Sequence, residues 1–454
     1  MTDPIPAEVP KLAFRARVEY FLRSAIMALA LPVFALYSLL RGRRRKRTWH
    51  SVTQRLGMLP QSVHQPAPGA IWIHAVSVGE VLAVAPLVPR LRQRFPKRRI
   101  AVSTTTDSGQ ELAATRLRCD FTFYNPLDFA FSCRRALRAI RPALVLIAET
   151  EFWPRFLREA RLAGARIVVV NGRISDRSFG KYLFWREAMR PVLAHVDRFL
   201  MQSEEDARRI REIGAEAGRI FVTGNLKYDL APANSTPLVA WLGGELGRQT
   251  QRPVIVAGSV TAGEEPLVLN AFGMVRSRWP RALLVLAPRR PERFDATAGL
   301  LEESHLSFVR RSDLQLDGAH AAALDLATSV LLLDSVGELA GLYRLADAVF
   351  VGGSLVPAGG HNILEPAAFA KPPLFGPSME NFREAAEMFL KAGAGLQVSS
   401  PESLGAAWIR LVQDDARREQ MGRAALELVE RNRGATGRAL EHIASVFDPA
   451  EGAS

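Results

Sequence analysis

From residue 70 onward the chain repeats one pattern: a short apolar run, a loop of small residues, then a stretch with apolar positions at helical spacing. In the first half the runs are AIWIHAV, RIAVSTTT, DFTFYN, ALVLIAE, RIVVVNG, RFLMQS and RIFVTG; in the second they are PVIVAGS, ALLVLAP, LSFVRR, VLLLD and AVFVGGS. Near-continuous Val, Ile and Leu without polar alternation predict strands buried on both faces, hence parallel sheets covered by helices on each side. A stretch rich in Pro, Ala, Asn and Ser, LKYDLAPANSTPLVAW at residues 226–241, separates the two sets. The predicted fold is therefore α/β with two Rossmann-like domains, residues 48–225 and 251–454, joined by a linker at 226–250. At 454 residues the chain is long enough to bury two cores. Ligands bind outside the carboxyl ends of such strands, so two sheets in series predict a cleft suited to a two-substrate reaction.

The first 47 residues break this pattern. Ser24–Leu40 is 17 residues without a charge, SAIMALALPVFALYSLL. As a helix it spans about 26 Å, slightly short of a hydrocarbon core of roughly 30 Å, and Tyr20, Phe21 and Leu22 extend it while Arg23 snorkels. A signal peptide would carry its basic residues before the apolar run, whereas here RGRRRKR (Arg41–Arg47) follows it. Residues 1–47 are thus expected to form a single-pass membrane anchor with a basic flank that keeps the rest of the chain on the cytoplasmic side. The same flank would hold anionic lipid headgroups of the inner membrane.

Charge and composition narrow the remaining classes. The net charge of +13 is concentrated near the N-terminus, and no aromatic-interleaved basic stripe, zinc motif or RNA-binding signature accompanies it, so nucleic acid is not an expected partner. Cys119 and Cys133 form no CxxC, and two cysteines cannot build a disulfide framework. The eight histidines are scattered, HExxH is absent and there is no Asp-x-Asp, so neither a metal nor a cofactor is expected.

Candidate chemistry lies in the loops after the strands. In HAVSVGE, Glu80 opens a predicted helix; it is either an acid favoured by the helix dipole or a general base within reach of a substrate hydroxyl. The loop AGSVTAGEE, with Ser259, rhymes with it and leaves backbone N–H groups for a phosphate. AETEFWP puts Glu149 and Glu151 at a strand end, where hydrogen bonding to neighbours outweighs metal binding. Lys227 in TGNLKYD could neutralise developing negative charge. LAPRRPERF sets Arg289 and Arg290 beyond a strand, suited to phosphate or carboxylate. VGELAGLYRLAD starts a helix at Gly337-Glu338. In FVGGSLVPAGGHNILEPAAFAKPPLFGP, His361-Asn362 would cap a helix entering Ile363, Leu364 and Glu365, whose carboxylate can accept both hydroxyls of a ribose; LFGP reads as the next strand.

Taken in order, HAVSVGE, ETEFWP, NGRIS, GNLKYD, APRRPERF, VGELAGLY and FVGGSLVPAGGHNILEPA resemble the 3-deoxy-D-manno-octulosonic acid (Kdo) transferases of lipopolysaccharide synthesis, a family of GT-B glycosyltransferases. The resemblance implies Kdo transfer from CMP-Kdo to the lipid A precursor at the inner leaflet, inverting and without a metal ion. It implies Glu80 as the base and Glu149 and Lys227 as transition-state support. Ser259 falls in the loop expected to help hold the donor, and Pro288-Arg289, Val336 to Glu338 and Asn362, Ile363, Leu364 and Glu365 fall where the family lines the cytidine nucleotide. Val260 stands where Thr is common and Ile363 where Pro is common. Two rivals stay open: a GT-B enzyme with a UDP-sugar donor, and a membrane-tethered nucleotide sensor that keeps the fold without catalysis.

Overall fold

The computed structural model describes residues 51–64, 69–229, 236–248, 252–316 and 324–447. The Ser24–Leu40 segment and Arg41–Arg47, read above as an anchor, lie outside the described residues. Among the described residues no helix is long and apolar enough to cross a membrane. The chain divides into two compact units, the first running to Asp229 and resuming at Asn432, the second from Leu230 to Arg431.

The first unit holds β1 (Ala70–His74), β2 (Ile100–Thr104), β3 (Phe121–Tyr124), β4 (Pro142–Ala148), β5 (Arg166–Gly172), β6 (Arg198–Met201) and β7 (Ile220–Val222), in the order β3-β2-β1-β4-β5-β6-β7. Every pairing is parallel, with Trp72 opposite both Ala101 and Val145. Successive side chains point to opposite faces. Trp72, Val145, Ile147, Ile167 and Val169 therefore build one core, and Ile71, Ile73, Leu144, Leu146, Val168 and Val170 the other. Each apolar run read from the sequence forms one of these strands. Chain order reverses between β1 and β4, which makes their carboxyl ends the switch point where sheets of this kind bind ligands.

The second unit repeats the plan with β8 (Val254–Val260), β9 (Leu283–Pro288), β10 (Phe308–Arg310), β11 (Val330–Leu332), β12 (Ala348–Val351), β13 (Pro373–Phe375) and β14 (Leu396–Gln397). All pairings are parallel, in the order β10-β11-β9-β8-β12-β13-β14. Its switch point falls between β8 and β12. Only β14, a two-residue edge strand, has no apolar run to announce it.

Two boundaries differ from the expected ones. The 226–250 linker is not a linker throughout: Leu226–Asp229 is a 3₁₀ turn of the first unit, and Pro237–Arg248 is a helix of the second, burying Leu238, Val239 and Leu242. Glu245 on that helix accepts the Leu324 N–H at 2.9 Å. The second domain also stops short of residue 454. Helix Ala435–Phe447 packs on the first unit, with Ala435, Ala439 and Ile443 in its core, Phe447 edge-on to Phe95 and His442 against Phe221. The cause is amphipathicity: its apolar stripe matches bare sheet surface beside Leu200 and Leu226.

Candidate active site

In the first unit β1 ends at His74, and Ser77 adopts extended geometry before helix Val78–Val84, which places Glu80 in its first turn. The Glu80 carboxylate accepts the Val76 N–H at 2.8 Å and the Ser77 hydroxyl at 3.0 Å. Only 7% of its surface is exposed. Burial raises its pKa from 4.5 to about 8; the Val76 N–H opposes the rise, and the charges of Glu149 and Glu151 add to it. Glu80 is thus a high-pKa carboxyl at the switch point, matched to taking a proton near neutral pH. Its start-of-helix position and its electrostatics coexist.

Glu149 follows β4 with φ of 52°, a left-handed conformation uncommon outside glycine, fixed by its N–H on the Val170 carbonyl at 3.0 Å. Lys227 Nζ lies 3.7 Å from Glu149 Oε1. Glu151 accepts the Trp153 indole N–H at 3.1 Å; burial raises its pKa first, with the Glu149 charge adding and the indole opposing. The ETE pair is therefore engaged with an ammonium and an indole. Asp128, from a different loop, accepts the Arg155 and Phe156 N–H groups and so caps helix Pro154–Leu162, which fixes the direction of the whole ETEFWP turn. No sequence pattern ties Asp128 to that helix 26 residues on. Glu80, Glu149 and Lys227 do come together, although Lys227 follows the edge strand β7: the turn Leu226–Asp229 returns to Asn171 on β5, whose Oδ1 accepts the Leu226 N–H.

In the second unit the predicted donor residues gather at the carboxyl ends of neighbouring strands. Ser259 sits at φ 54° one residue before the end of β8, within a register shift against β9. Pro288 closes β9, the Arg289 N–H bonds the Val260 carbonyl at 2.8 Å, and Arg289 and Arg290 are exposed. Their charges, after burial, hold the His361 pKa down at about 4, which places all three in one electrostatic neighbourhood. His361 Nε2 is 3.3 Å from Thr261 Oγ1, joining the β8 and β12 loops. Gly353 must be glycine there, since a Cβ would lie 2.7 Å from the His361 ring at a φ of 70°.

Two expectations change, the open amides of one loop and the first residue of one helix. Two of the AGSVTAGEE amides are not open to a phosphate. Thr261 N–H bonds Glu264 at 2.9 Å and Gly263 N–H bonds Glu265 at 2.8 Å. Fully buried Glu264 also accepts Gly353, Ser354 and Leu355 N–H groups at 2.6–2.9 Å, so the chain's own carboxylate fills the nest and clamps the glycine loop. Ile363 and Leu364 are core side chains, and the Leu364 N–H is taken by Asn362 Oδ1 at 3.1 Å. Helix Leu364–Ala367 accordingly begins one residue later than expected, because Asn362 bonds two residues ahead; its Nδ2 also donates to Glu365 Oε1 at 3.2 Å. Glu338 ends the Val336-Gly337 turn, with Val336 64% exposed and Gly337 at φ 99°, and its carboxylate is ion-paired to Arg311 at 2.9 Å. Among the described residues no group of three or more His, Cys, Asp or Glu could hold a metal ion.

Residues 50–230 match the family model for 3-deoxy-D-manno-octulosonic-acid transferase (kdotransferase). A 3-deoxy-D-manno-octulosonic acid transferase of Haemophilus influenzae is 35% identical over 83% of this chain and 87% of its own length. One of Bordetella pertussis is 34% identical over 91% and 96%. Among solved structures, a putative UDP-N-acetylglucosamine 2-epimerase from Listeria monocytogenes superposes with a TM-score of 0.53 at 15% identity, over 85% of this chain and 98% of that one, a likeness of fold alone. The two parallel sheets give the α/β class, and the Kdo transferase relatives make the chain a glycosyltransferase. It belongs to the Kdo transferase family.

Proposed function

We propose that this chain transfers Kdo from CMP-Kdo to the tetra-acylated lipid A precursor, lipid IVA, at the inner leaflet of the cell inner membrane, with inversion at the anomeric carbon and without a metal ion. The observation that carries this reading is Glu80, a buried carboxyl with its pKa raised to about 8, next to the Lys227–Glu149 pair. The acceptor hydroxyl oxygen attacks the anomeric carbon as the bond to the phosphate oxygen breaks. CMP leaves with the electron pair, and the hydroxyl proton passes to Glu80. Lys227, held by Glu149, offsets negative charge at the reacting centre. In the second unit Glu365, oriented by Asn362, would bind the ribose hydroxyls, and Arg289 would meet the phosphate. The donor already carries its leaving group as a phosphate, and the sequence has no Asp-x-Asp, both of which suit a reaction that needs no divalent ion. An N-terminal anchor at Ser24–Leu40 with anionic lipids on Arg41–Arg47 suits an anionic lipid acceptor.

The test is transfer from CMP-Kdo to lipid IVA in detergent with EDTA, following CMP release and the anomeric configuration of the product. Inverted product that falls about 10²–10⁴-fold in Glu80→Gln, with CMP binding retained, is the expected result. Absence of product from wild type would move the donor to a UDP-sugar. An unaffected Glu80→Gln would remove Glu80 as base and leave the family assignment standing.

A further inference from the structure

Lys227 stands in the short 3₁₀ turn Leu226–Asp229 and follows the edge strand β7, yet its ammonium reaches Glu149 just past β4. A chain of hydrogen bonds across three strand ends accounts for this. Asn171, at the end of β5, is fully buried with φ of 54°, and its Oδ1 accepts the Leu226 N–H at 2.9 Å. The Asn171 carbonyl accepts Gln202 Nε2 at 2.9 Å. Gln202 Oε1 in turn accepts Asn225 Nδ2 at 3.0 Å, and Asn225 Oδ1 accepts the Lys227 N–H at 3.0 Å. The two ends of the chain thus close on consecutive amides, Leu226 and Lys227. The opposite side of the turn is braced as well: Leu226 packs with Ala435, Ala439 and Ile443, and Asp229 accepts the Gly434 N–H at 2.6 Å.

We propose that Asn171 and Gln202 are positioning residues for Kdo transfer that act through Lys227, fixing the 225–227 turn so that the ammonium stays beside Glu149. The inference rests on the reading of Lys227 given above. A network that served stability alone would cost the same whether or not Lys227 carried an ammonium. One that aims Lys227 would lose its kinetic effect once the ammonium is gone, and this difference is measurable.

The experiment is a pair of double-mutant cycles in the full-length enzyme: Asn171→Gly and Gln202→Met, each alone and combined with Lys227→Ala. Glycine is chosen at 171 because it accepts the left-handed φ. Each single change is expected to lower kcat roughly 10- to 100-fold, as a misplacement on the order of 1 Å does, with KM for both substrates nearly unchanged. Neither is expected to lower kcat further in the Lys227→Ala background. The acid limb of the pH–kcat profile should move upward in Asn171→Gly as in Lys227→Ala, because a Glu149 charge no longer offset by the ammonium makes ionising Glu80 harder. Additive losses in both cycles would overturn the inference, as would unchanged kcat in both single variants when Lys227→Ala is impaired. If Lys227→Ala itself leaves kcat intact, the assignment of Lys227 fails, and this inference with it. Should Asn171→Gly not fold, the Gln202→Met cycle decides the question by itself.

Discussion

Replacing Glu80 by Gln removes a charge that the fold disfavours, so its effects on activity and on stability should run in opposite directions with pH. The pKa of Glu80 is raised from 4.5 to about 8 mainly by burial. At about 1.36 kcal/mol per pKa unit, ionising it inside the fold costs on the order of 5 kcal/mol more than in the unfolded chain. The sign follows from linkage: the folded pKa lies above the unfolded one, so the contribution is fully present below pH 4.5 and is lost as pH rises through about 8. Wild type should therefore lose stability between these limits, and Glu80→Gln should flatten that slope, gaining on wild type as pH rises. Activity moves the other way, because a base works only when ionised. At pH 7 about one tenth of Glu80 is ionised, and kcat/KM should rise close to tenfold per unit toward a plateau above pH 8. The assay is CMP release on transfer to lipid IVA from pH 5.5 to 9.5, with thermal melts over the same range. An acid limb near pH 4.5, or the same limb surviving in Glu80→Gln, would refute the assignment. So would a wild-type melting temperature that does not fall from pH 5 toward pH 8 relative to the variant.

Two further outcomes follow from the packing. Each Glu264 oxygen accepts two backbone N–H groups, so Glu264→Gln sets an amide NH₂ against two buried donors whichever way it turns; equilibrium unfolding should show a loss of about 3–5 kcal/mol, and a loss under about 1 kcal/mol would mean the clamp is dispensable. Ile443→Ala, in the helix that covers the first sheet, should cost about 2–5 kcal/mol in the same measurement; no change would mean that helix does not belong to the first unit's core.

Much of the architecture was legible because parallel strands buried on both faces must be written as unbroken apolar runs, and the chain writes one for each strand from β1 to β13. The placement of the candidate site residues was legible for the same reason: Glu80, Glu149, Arg289 and Glu365 all lie in or just past the loops that follow such strands, where ligands bind in sheets of this kind. Side-chain partnerships were less so. The small-residue loop with Ser259 looked like a phosphate cradle, yet Glu264 and Glu265 are close enough to occupy two of its amides, Thr261 and Gly263, and Glu264 takes the Gly353, Ser354 and Leu355 amides as well. Ile363 and Leu364 stand in a ligand-like phrase with their apolar side chains packed in the core, a burial that the phrase alone did not announce.

The sequence by itself determined the two sheets, their parallel sense and the division near residue 230, because hydrophobic periodicity and Pro-rich punctuation are local signals carried by neighbouring residues. Only the tertiary structure decided that helix Ala435–Phe447 returns to the first unit, that Asp128 caps a helix from another loop, and that Asn171 and Gln202 draw Lys227 back from an edge strand to Glu149. These contacts join residues 27 to more than 200 positions apart. A single sequence holds no local trace of such pairings, because what selects them is the free energy of satisfying buried polar groups and covering apolar surface once the sheets exist.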